Sequence, residues 1–327
     1  MLNCRLFTEV SISRDIKMNK DKGLAVIGSY NVGLFLKGER LPQKNETIIG
    51  DEFYEGGGGK GSNQAIAASK CGAHTRFICR IGQDKFGQDA LEMYKKLGVD
   101  SSCVIVDEAI HSGISVILID KDGANIISVV PGANFNLNEA DIDRYEDIIK
   151  STSLVGFQLE NKLKVVDYAI RKVHSWGVKT LLDPAPAVKL PNDLYSHIDY
   201  IKPNETEATI LTGIEVRDHE SAQQAGEWLV KKGAGCAIVT LGDKGSVVVT
   251  ESGSEIYEAP KVKAIDTTGA GDVFSGALMA SLAKGEQIEK SIKFASHAAA
   301  LSVTKLGVVN AIPELVEIEQ FMAAQKG

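Results

Sequence analysis

The segment Asp266-Thr267-Thr268-Gly269-Ala270-Gly271-Asp272 runs straight into the apolar stretch Val273 to Leu282. Its small residues let the backbone turn tightly into a helix, so the unpaired N–H groups of the first turn and the helix dipole face any anion placed there. A transferring phosphoryl group is such an anion. Asp272 puts one carboxylate at the same spot, where it can take the proton of an attacking hydroxyl while Gly269, Ala270 and Gly271 offer backbone donors to the developing charge. An acid in a first turn also complements the helix dipole without doing chemistry, so this segment alone does not decide.

Two further segments bear on it. Gly56-Gly57-Gly58-Gly59-Lys60-Gly61-Ser62-Asn63-Gln64-Ala65 is expected to open a helix that runs through Ala68 to Cys71. Four successive glycines destabilise an ordinary element, and close approach of backbone to a polar ligand accounts for them. A flexible linker is the other reading, but a linker does not normally run directly into a small-residue helix. In Pro203-Asn204-Glu205-Thr206-Glu207, Asn204 is placed to cap a helix with Glu207 three residues on, as in a capping box. A structural role accounts for that pair as well as a functional one.

Strand-like apolar runs at Leu24 to Ile27, Phe77 to Cys79, Leu154 to Phe157, Thr180 to Leu182, Tyr200-Ile201 and Cys236 to Thr240 position these segments. Helical patterns such as Phe86 to Leu97, Lys164 to Val173 and Ala222 to Val230 separate them. Strands alternating with helices predict an α/β fold, a doubly wound, mostly parallel sheet covered by helices on both faces. Ligands of such sheets bind beyond the carboxyl ends of the strands, where most of the motifs lie. Residues 32–54 and 112–130 break the alternation with strand-like runs such as Thr47-Ile48-Ile49, Ile114 to Ile119 and Ile126 to Val130, which predict a small β layer set on the main domain.

Composition is that of an ordinary soluble enzyme: 327 residues, 44% hydrophobic and 24% charged, enough for one large domain. A net charge of -7 and the absence of a basic stripe argue against a nucleic-acid partner. The five cysteines are scattered and odd in number, which predicts a reduced, cytoplasmic compartment, and the six histidines show no ligand spacing for a transition metal. Residues 1–23 carry charges throughout, which argues against a signal peptide or membrane span. They are expected to precede a single domain over residues 24–327, with Met18 a plausible start and residues 1–17 without a catalytic role.

Five motifs, Gly58 to Ala65, Asp183-Pro184-Ala185-Pro186-Ala187, Pro203 to Glu207, Thr240-Leu241-Gly242-Asp243-Lys244-Gly245 and Asp266 to Asp272, stand in the order found in ribokinase-like carbohydrate kinases of the PfkB group. The chain resembles that group over about Leu24 to Pro313. The resemblance implies ATP, Mg²⁺ and a monovalent cation such as K⁺ as cofactors, and makes the β layer a lid over the sugar that often pairs with a second subunit. Exclusion of water by such a lid protects the phosphoryl group from hydrolysis.

Residue by residue, the resemblance makes Asp272 the base, with Gly269, Ala270 and Gly271 at the phosphoryl group. Asn31, Gly33, Gly59, Lys60, Asn63 and Glu160 fall at the sugar. Asn204, Glu207, Thr240, Gly242, Asp243, Gly245 and His297 fall along ATP and its Mg²⁺. Asp266, Thr268, Ser302, Lys305, Gly307 and Ala311 match the cation loop, mostly through backbone oxygens. Relatives usually carry an acid where this chain has Gly33, often an Asn near Ser296-His297, and often a Ser at Ala311. Gly33 is expected to leave room at the sugar's far end. The function implied is phosphorylation of a primary hydroxyl of ribose or a related pentose. Alternatives are a nucleoside or other hexose or ketose kinase of the same fold, or a sugar-binding protein without catalysis.

Overall fold

The computed structural model describes residues 22–325, so the expectations for residues 1–21 lie outside the described residues. The first seven strands are β1 (Leu24–Ile27), β2 (Asn31–Lys37), β3 (Glu52–Gly58), β4 (Thr75–Gly82), β5 (Val104–Asp107), β6 (Gly113–Ile119) and β7 (Asn125–Val130). They are followed by β8 (Leu154–Phe157), β9 (Lys179–Leu182), β10 (Tyr200–Ile201), β11 (Cys236–Thr240), β12 (Ser246–Thr250) and β13 (Gly253–Tyr257). A nine-stranded sheet takes the order β13-β12-β11-β10-β9-β8-β1-β4-β5, and a four-stranded sheet the order β3-β2-β6-β7.

From β11 across to β5 every pairing in the large sheet is parallel. The α/β reading is therefore right, but β12 and β13 add an antiparallel hairpin at one edge that simple alternation does not contain. β1 shows why the sheet is covered on both sides. Ala25 and Ile27 enter one apolar core with Phe157 and Ile170, while Leu24 and Val26 enter a second with Phe77 and Leu278. Successive side chains of a strand alternate faces, so an unbroken apolar run must be buried twice.

One helix matters most for the site. Ala270–Ala283 has buried side chains all round it, including Leu278 and Met279 at 0% exposure, each contributing about 1.5–3 kcal/mol through burial. It lies against the helix Lys60–Lys70, and a Cβ added at Gly276 would sit 2.6 Å from the Gln64 carbonyl oxygen and 2.5 Å from the Ala67 Cβ. Glycine here lets the two backbones touch, which brings Asn63 and Gln64 to Asp272.

The expected small β layer is present as the four-stranded sheet, with two corrections. Thr47-Ile48-Ile49 is not a strand: it lies in the loop between β2 and β3, and Ile49 is 94% exposed. Nor do all four glycines form a loop. Gly56, Gly57 and Gly58 end β3, paired to Gly33, Val32 and Asn31, and only Gly59 turns the chain into its helix, at φ 89°. β-Pairing to β2 holds the run extended, and the missing side chains leave its inner surface bare.

Candidate active site

Asp272 lies in the first turn of the helix Ala270–Ala283, after Gly269 in the left-handed region at φ 78°, and is 5% exposed. Asn63 Nδ2 donates to its Oδ2 at 2.8 Å and Gln64 Nε2 to its Oδ1 at 3.3 Å. Burial pushes the carboxyl above the usual aspartate range; Lys60 opposes that, Asp183 adds to it, and the Asn63 bond and Lys202 oppose it. The result is an oriented, dehydrated carboxylate of raised basicity, as proton abstraction requires.

Behind it runs a buried polar chain. Gln64 Nε2 also donates to Asp183 Oδ2 at 2.9 Å, and so do Ser275 Oγ at 2.8 Å and Lys202 Nζ at 2.9 Å. Lys202 reaches on to the Gly271 carbonyl at 3.3 Å, so it ties the turn before Asp272 to the end of β10. Lys202 and Asp183 expose 4% and 2% of their side chains. Removing one partner of such a pair costs about 3–5 kcal/mol.

Glu160 gathers the next group. Its Oε2 accepts from the Lys60 backbone N–H at 2.8 Å, from Asn31 Nδ2 at 3.4 Å and from Ser29 Oγ. Asn31 is itself held by Asn134 at 2.9 Å. The Lys60 ammonium is held charged chiefly by Asp272, against burial, with Asp183, Glu160 and Glu207 adding to it. Asn31, Gly59, Lys60, Asn63, Glu160 and Asp272 thus come together, although Asn31 and Asp272 belong to opposite ends of the chain. Asn63 Oδ1 is buried without a protein partner and so offers an acceptor to a ligand hydroxyl.

Gly33 joins the same wall, but the expectation of free space there is overturned. A Cβ at Gly33 would lie 2.6 Å from Phe35 Cε2, because that ring folds back over the glycine.

The capping box at the helix Glu205–Thr212 is complete, with Asn204 Oδ1 accepting from the Glu207 N–H and Glu207 Oε2 from the Asn204 N–H, each at 2.8 Å. Burial raises the Glu207 carboxyl above its ordinary value and Asp183 adds to that, with Lys202, the Asn204 bond and Lys60 acting the other way. Thr240 N–H donates to the Pro203 carbonyl at 3.0 Å, so the turn Gly242–Lys244, closed by Gly245 at φ 93°, lies beside this cap. Next to it, a cleft of about 220 Å³ is lined by Glu255, Tyr257, Lys293, Ser296 and His297. The His297 ring bonds back to the Lys293 carbonyl at 2.7 Å and packs edge-on against Phe321.

Asp266 joins two loops. It accepts from Thr268 N–H at 2.9 Å and from Gly307 N–H at 3.0 Å. Burial alone would raise its carboxyl, but the bonds from Thr268 and Gly307 outweigh it and hold it below the usual range. Ser302 Oγ bonds back to its own helix and the Lys305 ammonium pairs with Glu317, so both side chains are spoken for, and Ala311 is buried.

Sequence reasoning missed Gln64, Lys202 and Ser275, and quoted Asp183 without a role. Lys202 next to Pro203-Asn204 and Gln64 next to Asn63 were the available signals. Neither reveals burial.

A family model described as pfkB family carbohydrate kinase matches residues 21–315. The ribokinase of Staphylococcus aureus is 38% identical over 299 residues, 91% of this chain and 98% of that protein. A deoxyribokinase of Salmonella typhimurium is 34% identical over 301 residues, 92% of this chain and 98% of that protein. The structure of Arabidopsis thaliana ribokinase complexed with ribose and ATP superposes with a TM-score of 0.86 at 30% identity, covering 92% of this chain and 99% of that one. Family match, fold and the buried acid at the helix start agree: the chain belongs to the pfkB family of carbohydrate kinases, phosphotransferases that take an alcohol group as acceptor.

Proposed function

We propose that this chain transfers the γ-phosphoryl group of ATP to the primary hydroxyl of ribose or a closely related pentose. The observation that carries the reading is Asp272, a buried carboxylate fixed by two side-chain amides at the start of a helix. The sugar O–H bond breaks as the O–P bond forms; Asp272 takes the proton and ADP leaves. The N–H groups of Gly269 and Gly271, with the Lys60 ammonium, face the charge that develops, whereas the Ala270 N–H expected beside them already donates to the Thr267 carbonyl at 3.2 Å. Asn31, Lys60, Asn63 and Glu160 hold the remaining sugar hydroxyls. The ribokinase relatives and the ribose and ATP of the Arabidopsis structure support this choice of substrates.

Asn204, Glu207, Thr240, Gly242, Asp243 and Gly245 line the path of the ATP phosphates, and the cleft at His297 is of a size for the base. Glu207 fits Mg²⁺, which binds through one or two carboxylates plus phosphates, since its carboxyl is half-buried and close enough to a second acid, Asp183, to be raised by it. Mg²⁺ would neutralise charge on the phosphates. Asp266, held ionised and joining Thr268 to Gly307, fits a K⁺ beside the anion-binding turn, with Ser302, Lys305 and Ala311 contributing backbone oxygens. Four buried free thiols, Cys71, Cys79, Cys103 and Cys236, suit a reducing cytoplasm. No helix among the described residues is long and apolar enough to cross a membrane. The lid is the surface proposed for a homodimer.

A coupled ADP-release assay tests the reading: release should depend on ribose or another pentose and on ATP. ADP release that no sugar stimulates would eliminate it.

A further inference from the structure

Register fixes which side of the lid faces the sugar. Asn31 reaches Glu160 from β2, and side chains two apart on a strand share a face, so Gly33 and Phe35 continue the wall that Asn31 begins. Across the sheet, Asn31 pairs with Gly58 and Gly113, Gly33 with Gly56 and Ser115, and Phe35 with Tyr54 and Ile117. The wall therefore passes from an amide, through bare backbone, to an aromatic and aliphatic patch. Gly33 lies about 6.6 Å beyond Asn31 along the strand, roughly the span of a furanose with its hydroxyls.

The bare row is not empty. A Cβ at Gly33 would lie 2.6 Å from Phe35 Cε2 and 3.0 Å from Cζ, and the ring is stacked on Tyr54 with centroids 4.6 Å apart and planes 7° from parallel. The stack fixes the Phe35 ring over the glycine. The ring occupies the space that a side chain at position 33 would need.

We propose that Phe35, seated over Gly33, sets specificity at the sugar end remote from the phosphorylated hydroxyl, and that the preferred substrate presents C–H surface there in place of a free hydroxyl. The inference rests on the kinase reading above. With the C5 hydroxyl at Asp272, C1 and C2 of a furanose lie across the ring, at the Phe35 end. A hydroxyl pressed against the ring loses its water and gains no acceptor, whereas C–H groups pack on it favourably. The class is thus a 2-deoxypentose or a pentose capped at its anomeric carbon.

The test compares kcat/KM for ribose, 2-deoxyribose and methyl β-ribofuranoside in the full-length wild type, Gly33→Asp, Phe35→Leu and the double variant. Wild type is expected to favour 2-deoxyribose or the riboside over ribose by roughly tenfold, and Phe35→Leu to shrink that ratio severalfold. Gly33→Asp alone should not move the ratio toward ribose, because the ring blocks the new side chain. The double variant should move it at least tenfold. Ribose preferred over both probes in wild type, or a ratio unmoved by both Phe35→Leu and the double variant, overturns the proposal. Should the double variant not fold, Phe35→Leu decides alone, since it keeps an apolar side chain at that strand position. ADP release stimulated by none of the sugars in wild type would overturn the kinase reading, and this inference with it.

Discussion

Asp272 accepts hydrogen bonds on both carboxylate oxygens, so Asp272→Asn should keep its place: the Asn63 amide, whose Oδ1 has no partner, can turn to meet the new donor. Loss of the base should lower kcat roughly a hundredfold or more with KM for ATP little changed. Near-normal turnover would remove Asp272 from the chemistry. Because burial raises its carboxyl, ionised Asp272 disfavours the folded state in full above the raised pKa, and this cost shrinks as pH falls through the raised pKa towards the ordinary aspartate value, below which it is gone. The Tm of Asp272→Asn relative to wild type should accordingly be highest near neutral pH and decline as pH falls. Lys60 is the largest influence opposing that rise. In Lys60→Met the acid limb of the kcat/KM profile should move to higher pH; a limb that stays put or moves down would show that the limb reports another group.

At the scale of elements, two contacts hold the site. The Gly276 contact brings the helices Lys60–Lys70 and Ala270–Ala283 together. Gly276→Val must push them apart, and should cost about 1–3 kcal/mol by denaturant titration and lower kcat even where the protein still folds. The Lys202–Asp183 pair ties β9 and β10 to the turn before Asp272. Lys202→Met should destabilise by about 3–5 kcal/mol, and Asp183→Asn added to it should recover much of that, since the unpaired charge is then gone. A double variant no more stable than Lys202→Met would show that the pair is not an electrostatic unit. The alternation of strands and helices was legible because the buried strands carry short apolar runs, such as Leu24–Ile27 and Leu154–Phe157, between helical patterns. The β12–β13 hairpin was not, since Ser246–Thr250 reads the same whether its neighbour runs parallel or antiparallel.

For the whole molecule, the lid leaves a large apolar surface uncovered. On the face away from Gly33 and Phe35, Phe53, Ile126 and Val130 are each half exposed or more, unusual for a thin sheet with no partner. Pairing with a second copy would cover it, and light scattering at micromolar protein should give the mass of a dimer. Ile126→Glu with Val130→Glu should shift the mass toward the monomer; a wild-type monomer at that concentration would refute the assignment. Replacing K⁺ by Li⁺ should lower activity if the Asp266 loops hold a cation, and equal rates in both salts would remove that site.

Local chemistry was enough to mark Asp272, Asn204 with its capping Glu207, and the glycines that turn into helices, because caps, dipoles and positive φ depend on a few neighbouring residues. The same holds for the α/β class, which follows from the period of apolar residues. Only the tertiary structure put Glu160 with Asn31 and Lys60, buried Lys202 against Asp183, and laid Phe35 over Gly33. These pairings join residues up to 129 positions apart, or turn on a side-chain rotamer that its stacking partner on the next strand fixes. Burial and orientation of that kind arise only when the sheet, the helices and the lid pack together, so residue order alone does not contain them in readable form.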